Sequence, residues 1–173
     1  MISKLRQIKD RTIARVLTRH PALFRAWERK SQGPVFDDSP WHPLNKPIED
    51  CNVSLVTTGG VHLRTQESFN MNDPDGDHSY REIYTDTEMR HLKITHNYYE
   101  HKDADADINV VFPIEPLRNL AETGEIGEVN KRHFSFMGHL QNSQMEKLVQ
   151  KSAPEVAAYL KEDGVDVVVL SPA

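Results

Sequence analysis

Gly164-Val165-Asp166-Val167-Val168-Val169-Leu170-Ser171-Pro172-Ala173 is the stretch on which the fold turns. A glycine suited to a helix C-terminus precedes four consecutive aliphatic residues, and Ser-Pro follows them. The segment therefore reads as a helix cap, a buried strand and the start of a loop. Strands with no polar alternation belong to parallel sheets covered by helices on both faces. In open sheets of that kind, ligands and reactive groups sit in the loops after the carboxyl ends of the strands. The residues around Pro172 are thus the first place to look for a site.

Upstream of this strand, residues 143–152 and 154–163 read as two helical pieces. Pro116 at a first helical turn, the spacing of Leu117, Leu120 and Ala121, and a cap at Gly124 predict another helix. Strands are predicted at 52–58, ended by Gly59-Gly60, near 92–95, and at 108–112; residues 133–138 read as a strand or a loop over the site. Between the first two, residues 61–80 read as a polar loop around the turn Asn72-Asp73-Pro74-Asp75-Gly76-Asp77. Helices alternating with short apolar strands predict an α/β fold with a mostly parallel sheet and Rossmann-like or flavodoxin-like layers.

The 173 residues suit one such domain plus an N-terminal extension. Residues 1–30 hold nine Lys and Arg against Asp10 and Glu28, while the chain as a whole carries −5. Ile2, Leu5, Ile8, Ile13, Val16 and Leu17 are spaced as one helical face, which predicts a basic amphipathic helix packing on its own domain or on a partner, with membrane-surface or nucleic-acid contact as the alternative. Residues 31–47 are rich in Pro and Gly and read as an extended connector. The expected division is 1–47 for helix and connector and 48–173 for the α/β domain, expected to be incomplete at its C-terminus. No apolar run approaches the roughly 20 residues of a membrane span. The lone cysteine, Cys51, excludes an intrachain disulfide and a cysteine zinc site, and it points to a reducing compartment, the cytoplasm.

Chemistry is best placed near the first strand's end. Thr57, Thr58, Gly59, Gly60 and His62 put two hydroxyls, a close-approach backbone and an imidazole together, a set able to bind a carboxylate or move a proton. His96 ends the second predicted strand and is the other catalytic candidate. Ser135, Gly138 and Ser171 complete the expected substrate-binding set. No Gly-x-Gly-x-x-Gly or Gly-Lys-Ser/Thr pattern supports nucleotide binding. Histidines 78, 91, 96 and 101 with Asp103, Asp105 and Asp107 raise a metal site, but neither an EF-hand loop nor a His-Glu-x-x-His motif is present; turn caps and solvated acidic surface are the simpler reading, and no metal is assigned. Cys51 precedes the first strand, at the end away from the Gly-Gly loop, which makes it a poor nucleophile candidate.

Taken in order, several blocks resemble one family: residues 40–47 (PWHPLNKP), 56–63 (VTTGGVHL), 73–77 (DPDGD), 107–114 (DINVVFPI), 134–138 (FSFMG) and 164–172 (GVDVVVLSP). They resemble the selenoprotein B family of the glycine, sarcosine, betaine and D-proline reductases, from about Pro40 to Ala173. In that family the strand resembling 165–172 leads into a selenocysteine, or a cysteine in its place, with a second cysteine a few residues on. The resemblance implies a selenolate attacking the carbon that bears the substrate's amine. It further implies a small amine or amino-acid substrate, a pyruvoyl-bearing partner subunit and a thiol reductant, with no cofactor bound by this chain and no nucleic acid. Homo-oligomerisation is left open. The expected catalytic selenocysteine would be encoded by UGA at codon 174, immediately after Ala173. A second reading, from the residues alone, is a non-catalytic small-molecule or metal-binding α/β module, marked by stoichiometric metal that is lost with His62, His96 and His101.

Overall fold

The computed structural model describes residues 2–29 and 42–173. Of the connector expected at 31–47, only 42–47 fall within the described residues, and they carry neither helix nor strand. The described residues fall into two compact units: 2–29 and 42–45 with Asn97–Glu100, and Lys46–His96 with His101–Ala173.

In the first unit the basic segment forms two helices, α1 (Ile2–Arg19) and α2 (Pro21–Glu28), instead of one. His20 is the break. Pro21 has no N–H to continue the ladder and starts the second helix, where a missing donor costs nothing. Arg11 Nε donates to Asn97 Oδ1 at 2.8 Å and Arg15 pairs with Glu100 at 2.8 Å. The apolar residues Leu5, Ile8, Ile13 and Val16 of α1 are exposed, whereas Ala14 is buried.

The second unit is α/β. Its strands are β1 (Asn52–Thr57), β2 (Val61–Leu63), β3 (Arg81–Tyr84), β4 (Leu92–Ile94), β5 (Glu128–Val129), β6 (Arg132–Ser135) and β7 (Val167–Ser171), and its helices are α3 (Lys102–Ala106), α4 (Ile114–Glu122), α5 (Asn142–Lys147) and α6 (Ala153–Glu162). The centre of the main sheet is β1. It pairs in parallel with β7 along one side, and with β5 and then β6 along the other; β3 adds antiparallel to β6. Two crossovers, from β1 to β5 and from β6 to β7, thus bring the carboxyl ends of β1, β6 and β7 to one end of the sheet.

One sheet face is covered by α6. Phe134, Phe136 and Val156 form a buried cluster with Val56, Tyr80, Tyr159 and Leu160 packed on it. Phe134 stacks on Tyr159 with centroids 6.1 Å apart and meets Tyr80 edge-on at 5.8 Å. Truncating so enclosed an aromatic costs about 3–5 kcal/mol, much of the 5–15 kcal/mol typical of a whole domain. Phe112 lies edge-on to His133 at 6.0 Å, with Ile114 and Leu117 of α4 also buried. A π-helical turn, Leu148–Ser152, joins α5 to α6 just ahead of Pro154. Proline cannot donate to the carbonyl four residues back and collides with it, so the turn widens there.

Several predicted elements are corrected. Residues 108–112 are not a strand: Ile108–Val110 is a 3-10 turn whose N-cap Asp107 accepts from the Asn109 N–H at 3.0 Å, while Asn109 also bonds Glu115. These short-range bonds satisfy the backbone locally and win over the apolar pattern. Residues 92–94 are a strand but pair antiparallel with β2 in a separate two-stranded sheet, so the loop expected at 61–80 begins as a strand. The strand β7 is only half-buried along its length, and Leu170 is 72% exposed; among the described residues its strand partner is β1.

Candidate active site at the carboxyl ends of the strands

Thr57 lies in register with Ser135 on one side and Ser171 on the other, so three hydroxyl-bearing residues form a row across the ends of three parallel strands. The loop after β1 is stitched to both neighbours. On the β6 side the Phe136 N–H donates to Thr57 O (2.8 Å), the Gly60 N–H donates to Phe136 O (2.9 Å), and Gly59 bridges to Met137. On the β7 side the Thr58 N–H donates to Ser171 O at 3.1 Å, and the Ala173 N–H donates to Thr58 Oγ1 at 3.1 Å. Sheet hydrogen bonding thus runs on past the strands and holds the loops rigid.

Two glycines make this stitching sterically possible. Gly60 has φ +69°, and a Cβ there would stand 2.6 Å from Thr95 O. At Gly138 a Cβ would meet Ala173 O at 3.0 Å and Thr58 O at 3.3 Å. Glycine at both positions lets backbone approach backbone. Thr58, Gly138 and Ala173 are therefore in mutual contact.

The hydroxyls differ in what they leave free. Thr57 Oγ1 donates to Ser171 O (3.0 Å) and accepts from the Gly59 N–H (3.0 Å), so it is occupied by the scaffold. Thr58 Oγ1 accepts from Ala173 and keeps its proton available. Ser135 is fully buried and its Oγ has no hydrogen-bond partner. Leaving a buried hydroxyl unpaired costs roughly 1–3 kcal/mol, which makes Ser135 the polar group in the row with most to gain from a ligand.

Both candidate histidines are buried. His62 Nδ1 donates to Leu63 O at 2.8 Å, since a carbonyl can only accept, and its Nε2 accepts from Thr95 Oγ1 at 2.8 Å. Burial lowers its pKa, and both nitrogens are engaged by protein. Through Thr95, whose N–H donates to Gly60 O at 2.9 Å, it braces the strand end from which His96 starts. His96 is 3% exposed. Its pKa is pushed down to about 3, first by burial and then by the charges of His139 and His101, so the ring is neutral at pH 7. The Cβ atom of His96 lies 3.4 Å from the position a Cβ on Gly60 would take, which places this histidine beside the Gly-Gly loop.

Cys51 stands at the opposite end of β1, where its Sγ donates to Pro47 O at 3.2 Å. Burial first, then the charge of Asp166, raises the thiol's pKa. Among the described residues, no three His, Cys, Asp or Glu side chains converge to hold a metal ion. The aspartates of the turn instead cap backbone: Asp73 accepts from the Asp75 N–H and Asp77 from the Asn70 and Ser79 N–H groups. His101 pairs with Asp105 at 2.7 Å.

His133 is the residue that sequence reasoning overlooked. Fully buried, it accepts the Leu55 N–H on Nδ1 at 3.0 Å and holds Thr85 Oγ1 at 2.9 Å on Nε2, while the Thr85 hydroxyl donates to Asn130 O. The imidazole takes the place of a strand carbonyl in the gap between β5 and β6. Its pKa falls to about 4 through burial, aided by Arg118. An imidazole flanked by Arg132 and Phe134 in a strand whose last three residues are buried was the available signal.

A family model described as glycine/sarcosine/betaine reductase selenoprotein B matches residues 24–173. The chain is 36% identical over 138 residues to the D-proline reductase subunit gamma of Acetoanaerobium sticklandii, covering 80% of this chain and 55% of that one. It is 26% identical over 151 residues to the glycine reductase complex component B subunit gamma of Carboxydothermus hydrogenoformans, covering 80% of this chain and 32% of that one. To the betaine reductase complex component B subunit beta of Peptoclostridium acidaminophilum it is 28% identical over 135 residues, 73% of this chain and 29% of the relative. The chain thus spans about half the length of the first relative and about a third of the others. No solved structure matches. Among the described residues, no helix is long and apolar enough to cross a membrane.

Proposed function

Because the chain belongs to the glycine/sarcosine/betaine reductase selenoprotein B family, we propose that it is the scaffold portion of a reductase-complex subunit that reductively cleaves a carbon–nitrogen bond of a small amine or amino acid. Its nucleophile, a selenocysteine or cysteine, follows Ala173. The observation that supports this is the seat of Ala173 against Thr58 and Gly138. A selenolate on the next residue emerges among the loops that follow three parallel strands, where open α/β sheets hold their ligands.

Selenolate attacks the carbon bearing the amine, a carbon–selenium bond forms, and the carbon–nitrogen bond breaks. The amine leaves with that bond's electron pair and takes up a proton. A second thiol then attacks selenium, the carbon takes a proton as its bond to selenium breaks, and an external dithiol reduces the selenium–sulfur bond. A selenol is ionised at neutral pH more readily than a thiol, and only the anion is nucleophilic.

His96 is the proposed proton carrier. An anionic nucleophile or substrate carboxylate placed beside its neutral ring favours imidazolium and raises its pKa, so it gains a proton as substrate binds and returns it to the leaving amine. Ser135 Oγ and the Thr58 hydroxyl are the proposed substrate contacts, with Ser171 and Gly138 shaping the mouth. Thr57, Gly59, Gly60 and His62 position the loop. A pyruvoyl-bearing partner and a thiol reductant in the cytoplasm complete the reaction.

The test is to read the DNA after codon 173, express the continued frame with Cys at codon 174, and assay it with its partner proteins and dithiothreitol on glycine, sarcosine, betaine and D-proline. Dithiol-dependent consumption of one substrate is expected. An ordinary stop at codon 174, or no consumption of any of the four, refutes the reading.

A further inference from the structure

Lys131, the residue before β6, and Arg118 of α4 line an open cavity of about 710 Å³ together with Tyr84, Thr85, Asp86 and Thr87, the turn at the end of β3. The hydroxyl row of the candidate active site lies at the other end of β6, which puts Lys131 and Ser135 about 13 Å apart at the rise of a strand. The turn is fixed by backbone. The Thr85 N–H donates to Lys131 O at 2.9 Å, the Thr87 N–H donates to Tyr84 O at 3.0 Å, and Arg118 Nη2 donates to Thr87 O at 3.3 Å. Thr85 Oγ1 is held in turn by Asn130 O and His133 Nε2.

Two cations meet at this cavity without a counter-ion. Among the described residues, no carboxylate forms an ion pair with Arg118 or Lys131. Asp163 feels the Lys131 charge, but Arg132 already bonds that carboxylate twice. Arg118 is half-buried, and its bond to Thr87 O uses one of the five N–H donors of a guanidinium. Its charge reaches the buried ring of His133. A half-buried cation with donors to spare gains most from an anion, and the planar fork of Arg matches the paired oxygens of a carboxylate or phosphate, whereas Lys adds a point charge. Asp86 opposes them from the turn, and two cations against one carboxylate leave the lining positive. We propose that this cavity binds a small oxyanion, the carboxylate or phosphate group of a ligand, with Arg118 as the forked contact, Lys131 as the second charge and the Thr87 hydroxyl as a further donor. The volume lies within the range of about 300–1,000 Å³ usual for small-molecule sites, so the carrier of the oxyanion is a small molecule. The site is distinct from the one at the carboxyl ends of the strands and stands independently of the reductase reading.

The test titrates the isotope-labelled 173-residue chain with sodium phosphate and, separately, with sodium acetate, and follows its backbone amides by NMR. Ionic strength is held constant with sodium chloride. Saturable shifts at residues 84–87 and 131 are expected with at least one of the two anions, and the tighter one tells phosphate from carboxylate. Arg118→Gln is expected to weaken that binding about tenfold or more, as the loss of a charged hydrogen-bond partner does. Lys131→Gln should weaken it less, and Asp86→Asn, which removes the opposing charge, should tighten it. Cooperative urea unfolding confirms that each variant is folded; Lys131 and Asp86 are exposed, so their variants carry the test if Arg118→Gln does not fold. No saturable shift with either anion, shifts confined to the basic residues 2–29, or binding that the substitutions leave unmoved overturns the inference. Binding weakened by Asp86→Asn overturns it too, since that carboxylate would then be a ligand contact and the ligand a cation or zwitterion.

Discussion

Gly138 has no side chain, and that absence holds the site together. Gly138→Ala puts a methyl 3.0 Å from Ala173 O and 3.3 Å from Thr58 O, both backbone atoms. Overpacking of this kind costs about 1–3 kcal/mol, so thermal unfolding is expected several degrees lower than in the parent chain; an unchanged midpoint would mean that Ala173 does not sit against Gly138. His133 makes the complementary case. His133→Leu keeps a bulky side chain but leaves the buried Leu55 N–H and Thr85 hydroxyl with one partner fewer, at a cost of roughly 1–3 kcal/mol for an unsatisfied donor. Urea titration is expected to show that loss with an unchanged slope. The sequence marks Gly138 as a site residue but not as the contact for Ala173, and it does not show what His133 bonds. A glycine after Phe-Met reads as ordinary loop chemistry, and a histidine in a strand reads as an accident until Leu55 is seen to need an acceptor.

At the scale of elements, legibility follows the range of the bonds that decide each one. Residues 52–57 and 167–171 were readable because their runs of β-branched and aliphatic residues favour a sheet whatever their neighbours. The caps Gly124 and Gly164 were readable too, and both adopt positive φ, +75° and +69°. Residues 108–112 misled because Asp107 and Asn109 bond the backbone within reach of each other, information that an apolar count ignores. β3 was missed since Arg81-Glu82-Ile83-Tyr84 buries only Ile83 and takes its strand geometry from β6. The junction of β6 with α6 depends on a polar network: Arg132 meets Asp163 at 2.6 and 2.8 Å, and Asn130 joins them at 3.1 Å. Arg132 lowers the Asp163 pKa below the usual carboxylate range. Because two charge-assisted bonds are lost, Asp163→Ala is expected to cost about 1.5 kcal/mol or more. A double-mutant cycle with Arg132→Ala should show most of that as coupling, and additivity would contradict the network.

For the molecule as a whole, buried neutral histidines set the response to acid. His96 and His133 have folded pKa values of about 3 and 4, below the ordinary 6.5, and His62 is lowered as well. Above pH 6.5 both folded and unfolded states are neutral at these positions and stability is flat. Between 6.5 and about 4 the unfolded chain binds protons that the folded chain refuses, so stability falls as pH drops, by up to about 1.4 kcal/mol per pH unit for each histidine. Urea midpoints at pH 7.5, 6.5, 5.5 and 4.5 should be level at first and then decline, and His133→Leu should shallow the decline; a midpoint constant to pH 4.5 would contradict the burial of these rings. The α/β class was legible, as were the strand ends and turn residues that the candidate site is built from. Mass spectrometry of the native protein, isolated from its source under reducing conditions and alkylated, identifies the residue after Ala173. A peptide running through Ser171-Pro172-Ala173 into an alkylated selenocysteine or cysteine is the expected result. A terminal peptide ending in the free carboxylate of Ala173 would contradict it.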